Sequence, residues 1–184
     1  MTPIRERALA AAIELLATGG LRALTHTRVD ERAALPKGST SNYFRTRDAL
    51  LLGVADWILL QEIRPVHAAF TPRSPADLVD AMCTLLEVTT QQNRDLTAAR
   101  LVLFLEASHH AALREALTRG RATLEADIVS ALGELGARDP YAAAGTIAAC
   151  FEGLLLHRIA RNDSSDPRPI FETVVRGALA DAVG

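Results

Sequence analysis

Ala8, Leu9, Ala12, Ile13 and Leu16 recur at intervals of three and four residues, which lines them along one stripe of a helix. The stripe stops at Gly19-Gly20, where glycine accepts the left-handed conformation a helix end needs. Similar spacing returns along most of the chain, and β-branched residues never cluster as strands would require. Of 184 residues, 49% are apolar and only 4% aromatic, so the core is built from Leu, Ala, Ile and Val. Alanine and leucine favour helix. The expectation is an all-α protein with about nine helices.

Local signals divide the chain. The first helix runs from about Ile4 to Ala17. Thr25 can cap a second, short helix through Ala33, with Val29 and Ala33 facing inward. After the tight connection Ala34-Leu35, a third short helix spans about Pro36 or Lys37 to Tyr43, since proline suits a first helical turn. Thr46 caps a fourth, with Asp48 in its first turn and Leu50, Val54, Trp57 and Ile58 inside; Pro65 ends or bends it. Phe70-Thr-Pro-Arg-Ser-Pro75 is the clearest break. Ser74-Pro75-Ala76-Asp77 then opens a fifth helix reaching about Gln91. A sixth spans about Asp95 to Ser108, a seventh about Ala111 to Leu135, and an eighth runs from Asp139-Pro140 to near Arg161. Asp166-Pro167 opens a ninth that runs almost to Gly184.

Charge is distributed unevenly. Residues 1–50 hold eight Lys or Arg against five Asp or Glu, net +3, whereas the other 134 hold twelve against seventeen, net −5. A basic front end on an acidic body suits a polyanionic partner at that end. The longest unbroken apolar runs, such as Leu101-Val-Leu-Phe-Leu105, fall far short of the roughly 20 residues of a membrane span, so no membrane partner is expected. The start lacks a secretory signal, and Cys83 and Cys150 sit in apolar surroundings, which fits free thiols in the cytoplasm.

Catalytic and metal chemistry find little footing. Glu106-Ala-Ser-His109 has the Glu-x-x-His spacing of bundle metal sites, but such a site needs two copies and further glutamates. His109-His110 falls at a helix junction, where a structural or solvated role is the ordinary one; His67 and His157 read the same way. There is no phosphate loop, nucleophile elbow or convincing triad. No catalytic residue, metal ligand or cofactor is expected, and a metal-dependent all-α enzyme remains only as an alternative.

Two short helices joined by a tight turn, after a longer one, make a helix-turn-helix arrangement. Its second helix, Pro36 to Tyr43, would show Lys37, Ser39, Ser41 and Asn42, which suit base edges and phosphates, while Gly38 permits close approach and Phe44 anchors the end. The same polar residues suit an ordinary solvated loop and helix equally well, as in a helical adaptor that binds only protein.

Leu24-Thr-His-Thr-Arg-Val-Asp-Glu-Arg-Ala-Ala-Leu-Pro-Lys-Gly-Ser-Thr-Ser-Asn-Tyr-Phe-Arg-Thr-Arg-Asp-Ala-Leu-Leu51 resembles the DNA-binding domain of the TetR family of bacterial transcriptional regulators. Further on, Phe151-Glu-Gly-Leu-Leu-Leu-His-Arg158 is similar to the family's eighth-helix pattern. The resemblance implies a DNA-binding domain over residues 1–46 and a helical ligand-binding and dimerisation domain over 47–184. It places Thr25, Thr27 and Arg28 at the DNA from the second helix, and Lys37, Gly38, Ser39, Ser41, Asn42 and Tyr43 on the reading helix. Arg47 falls at a phosphate-binding helix start, and Arg5 adds a backbone contact. Four positions depart from the family pattern: Thr40 stands where an apolar residue is usual, Ser41 and Asn42 where an aromatic pair is usual, and Pro36 where a capping side chain is usual.

The implied partners are an operator duplex, a small-molecule effector and a second copy of the chain; the implied activity is regulation of transcription, most often repression. Trp57, Met82, Leu86, Phe104, Phe151 and Leu155 are candidates to line a largely apolar ligand pocket, or simply core. Ala144, Ala148, Ala149 and Gly153 permit close helix approach, with Leu154, Leu155 and Val174 supplying apolar area, so a two-fold dimer is expected through the last two helices, about Pro140 to Ala182.

Overall fold

In the computed structural model, which describes residues 3–69 and 71–180, α1 (Ile4–Gly19) ends where Gly20 turns to φ 63°. That is two residues beyond the expected end. A 3₁₀ turn, Leu21–Ala23, leads into α2 (His26–Arg32), whose first turn is capped by the Thr25 hydroxyl accepting from the Arg28 N–H at 3.3 Å. Ala34 sits at φ 50°, a left-handed conformation that costs a side chain about 1–2 kcal/mol. Arg7 of α1 steadies this turn by donating to the carbonyls of Ala33 at 2.6 Å and Ala34 at 3.1 Å.

The third helix is shorter than the sequence suggests. α3 covers Ser39–Tyr43, because Gly38 adopts φ 90° and holds Pro36 and Lys37 in the preceding turn. No side chain of its own caps it. The cap comes from α2: one carboxylate oxygen of Asp30 accepts from the Gly38 N–H at 2.7 Å, and the other from the Thr40 N–H at 2.8 Å and the Thr40 hydroxyl. Asp30 and Thr40 are both buried. Burial pushes the Asp30 carboxyl up, but the donors from Thr40 and Gly38, with His26 nearby, outweigh it and hold the group below the ordinary Asp value.

α4 (Arg47–Ala69) begins at Thr46, whose hydroxyl accepts from the Ala49 N–H at 3.0 Å. It continues past Pro65 rather than ending there; a proline removes one ladder bond, which the flanking turns can outlast. Gly53 of this helix meets the Phe44 ring so closely that an added Cβ would overlap it. α5 (Pro75–Glu87) starts at Ser74, whose hydroxyl accepts from the Asp77 N–H, and passes into a π-helical turn, Val88–Gln92. There follow α6 (Arg94–Glu106), α7 (Ala111–Glu134), α8 (Pro140–Arg161) and α9 (Arg168–Leu179). α9 stops short of the expected end, since Ala180 is already extended; residues 181–184 and Phe70 lie outside the described residues.

Packing groups these helices into two compact units, Met1–Glu62 with Asp95–Gly120, and Ile63–Arg94 with Arg121–Gly184. This grouping cuts the chain elsewhere than the expected division at 46/47. In the first unit Leu9, Leu16, Leu24, Val29, Phe44, Leu50, Ile58 and Leu103 share one core. In the second, Leu78, Met82, Leu86, Ile147, Leu155, Phe171 and Val175 share another, with the Phe151 and Phe171 rings stacked at 6.0 Å.

The Asp30 cap generates a pH prediction. Its folded pKa is depressed, so its contribution is complete above the unfolded value near 3.9 and is lost as pH falls through the lower folded value. Asp30→Asn should therefore cost about 1–3 kcal/mol at neutral pH, and its difference from the parent should shrink as pH drops below about 4. Urea titrations of both proteins across pH 3–7 check this; a constant difference would remove the ionised cap from the account.

Candidate nucleic-acid interface

α1 and the start of α4 hold α2 and α3 from behind, through the core that contains Val29 and Phe44. On α2, Thr25, Thr27 and Arg28 are exposed. In the turn and on α3, Lys37, Asn42 and Tyr43 are exposed, Gly38, Ser39 and Ser41 are half-buried, and Thr40 points into the unit. Two hydroxyls already donate locally: Ser39 to the Pro36 carbonyl at 2.6 Å and Ser41 to the Gly38 carbonyl at 2.8 Å. Their oxygens keep acceptor capacity.

The arginines differ in what occupies them. Arg47 donates to the carbonyls of Leu21 at 2.8 Å and Leu24 at 3.3 Å, so it ties the start of α4 to the chain entering α2. Arg5 lies 5.6 Å over the Phe44 ring. His26 donates from Nε2 to the Phe44 carbonyl at 2.6 Å and thereby links the start of α2 to the end of α3. Arg22 and Arg45, which sequence reasoning passed over, are exposed on either side of the α2–α3 pair in the chain. Asp30 was missed as well. Its signal was present in two departures read separately, a polar Thr40 in an apolar slot and a proline in the capping slot.

The other candidates divide. Trp57 and Phe104 pack against the core of the first unit, whereas Met82, Leu86 and Leu155 belong to the core of the second and Phe151 packs against it. Of the residues expected at a dimer face, Ala144, Leu154 and Leu155 are buried in the core of their own unit. Ala149 is exposed, Ala148 and Gly153 are half-buried, and Val174 is partly covered by the same core. The outward stripe of α8 runs instead through Tyr141, Ala142, Gly145, Ala149 and Leu156.

His110 acts as a cap, its Nδ1 accepting from the Leu113 N–H at 3.1 Å at the start of α7. Among the described residues no three His, Cys, Asp or Glu side chains are grouped to hold a metal ion.

Known proteins give these features a context. Residues 8–54 match the family described as bacterial regulatory proteins, tetR family, and residues 73–181 match the Tetracyclin repressor-like, C-terminal domain. The fold is similar to that of a transcriptional regulator from Rhodococcus sp. Rha1, with a TM-score of 0.85 at 19% identity over 98% of this chain and 99% of that one. It is also similar to a TetR-family member from Streptomyces coelicolor A3, with a TM-score of 0.78 at 21% identity over 98% and 100%. A third similar structure is the multidrug binding protein EbrR complexed with ethidium, with a TM-score of 0.76 at 22% identity over 97% and 100%. Among curated proteins no sequence match was found. Two family domains in succession, the second alone spanning more than half the chain, place it without ambiguity: it belongs to the TetR family of bacterial transcriptional regulators.

Proposed function

We propose that this regulator is a cytoplasmic repressor that binds a palindromic operator as a homodimer and is released by a small, largely apolar effector. In this reading residues 1–46 meet DNA and residues 47–184 serve the effector and the dimer. The chain regulates and does not catalyse. The observation that carries it is the α2–α3 pair, where Thr25, Thr27, Arg28, Lys37, Asn42 and Tyr43 face outward while Val29 and Thr40 are buried. A helix of this kind enters the major groove, and dimeric readers use half-sites roughly 34–36 Å apart.

Lys37 is assigned to phosphate and Asn42 to a base edge. Arg47 retains a phosphate role in this reading, but its bonds to Leu21 and Leu24 make it a poor test residue. Lys37→Ala should weaken binding to every sequence and flatten the salt dependence by about one counterion. Asn42→Ala should cost about 1–3 kcal/mol and relax selection at one base pair. Selection from a random duplex pool, followed by salt titration, checks both. Steep salt dependence also separates this reading from a protein-only adaptor.

The dimer is assigned to the outward stripe of α8 together with α9. α8 is apolar enough by length and composition to cross a membrane, yet only 28% of its most apolar window is buried within the chain. Such a surface calls for a cover, and Ala142, Gly145 and Ala149 would let a second helix approach closely. Ala149→Glu places a charge on that stripe without touching the core. Light scattering should show a monomer, and operator affinity should fall at least tenfold; an intact dimer would remove α8 from the interface.

For the effector, binding of ethidium by a structural neighbour supports a small-molecule ligand here. Met82, Leu86, Phe151 and Leu155, which share the second unit's core, are the residues assigned to it. An effector that releases DNA must favour the incompetent state, typically by about 1–3 kcal/mol, and linkage makes operator DNA weaken effector binding by the same factor. Titrating a thermal-shift hit with and without operator, followed by Trp57 fluorescence, should show that loss. Equal affinities would exclude that compound as an effector.

A further inference from the structure

We propose that Asp30 is a positioning residue for operator reading, because it supplies from α2 the cap that sets the register of α3. The proposal rests on α3 being the reading helix.

A five-residue helix closes too few internal bonds to be stable alone, so its orientation is set from outside. The usual local device is missing. Gly38 stands at the cap position without a side chain, and Pro36 before it has no hydroxyl or carboxylate to offer. The α3 start is held instead by a carboxylate eight and ten residues back in sequence. Its two oxygens are divided, one on the Gly38 N–H and the other on the Thr40 N–H and hydroxyl. A single contact would allow α3 to pivot; two divided contacts fix both its distance from α2 and its rotation.

Rotation is what DNA reading needs. Thr40 is the inward residue of α3, and Ser39, Ser41 and Asn42 follow it round the helix. If Thr40 slips from Asp30, every outward side chain turns with it. Thr40 is wholly buried, so its hydroxyl has no water to turn to. Asp30 is itself only 3% exposed and lies on the inner side of α2, which makes it a holder of the reading helix and not a DNA contact.

The test compares Asp30→Asn with the double variant Asp30→Ala/Thr40→Val. Asparagine has one acceptor oxygen, so it can hold Gly38 or Thr40 but not both. The double variant removes both buried polar partners, which lets the chain fold while leaving the start of α3 uncapped. The probes are a duplex selected by the parent protein from a random pool and a scrambled duplex of equal length and composition. The quantity read is the ratio of the two affinities at one salt concentration, at a temperature where circular dichroism shows each variant folded. Both variants should lose about tenfold or more in this ratio, chiefly through the selected duplex, and random-pool selection should return a broadened preference. A merely structural role would lower the melting temperature and leave the ratio per folded molecule unchanged. That result overturns the proposal, as does failure of both variants to fold. If the parent itself selects no duplex, it is the reading of α3 that fails, a different outcome from a parent that selects normally beside a variant with an unchanged ratio.

Discussion

A helix of one and a half turns does not hold itself in water, and α3 exists because groups outside it take over its ends. At the start, the divided carboxylate of Asp30 accepts from Gly38 and Thr40. At the end, the Phe44 carbonyl accepts from His26 while the Phe44 ring sits in the core against Gly53. Both holds come from α2 or from packing, so α2 and α3 behave as one object. The exposed side chains on the pair inherit their spacing from that object, so a buried acid governs the geometry of an exposed surface.

The turn between the two helices is stabilised in the same indirect way. Ala34 adopts a conformation that glycine would occupy without strain, and Arg7 compensates by bonding two carbonyls there. Arg47 ties the entrance of α2 to the start of α4. The basic side chains of this unit include some spent on backbone carbonyls, such as Arg7 and Arg47, and others left exposed at the surface. Only the latter, such as Lys37 and Arg28, are read simply as charge offered to a polyanion.

Helix periodicity, caps and proline starts were legible because they depend on neighbours within one turn. Thr25, Thr46, Ser74 and Asp139 all cap where the chain pattern placed them. The start of α3 was misplaced because Gly38 reads as an ordinary helix-tolerant residue until its positive φ is seen. The end of α9 was misplaced for a related reason: Ala180 favours helix intrinsically, yet nothing in composition marks where α9 runs out. On α8 the small and apolar residues were easy to find, but which of them face inward depends on α5 and α9. Ala144 and Leu154 went to the core and Ala149 to the surface.

The sequence by itself determined an all-α chain, its family and the place of the helix-turn-helix, since these follow from local periodicity and from a motif contiguous in the chain. Tertiary structure decided which side chains are spent internally. Asp30 and Thr40 are ten residues apart and belong to different helices, so their bond becomes visible only when α2 and α3 are packed together. The same holds for Trp57 and Met82, both apolar and helical, which pack in different cores. Burial and pairing are properties of neighbours in space, and a residue's own type and spacing do not contain them.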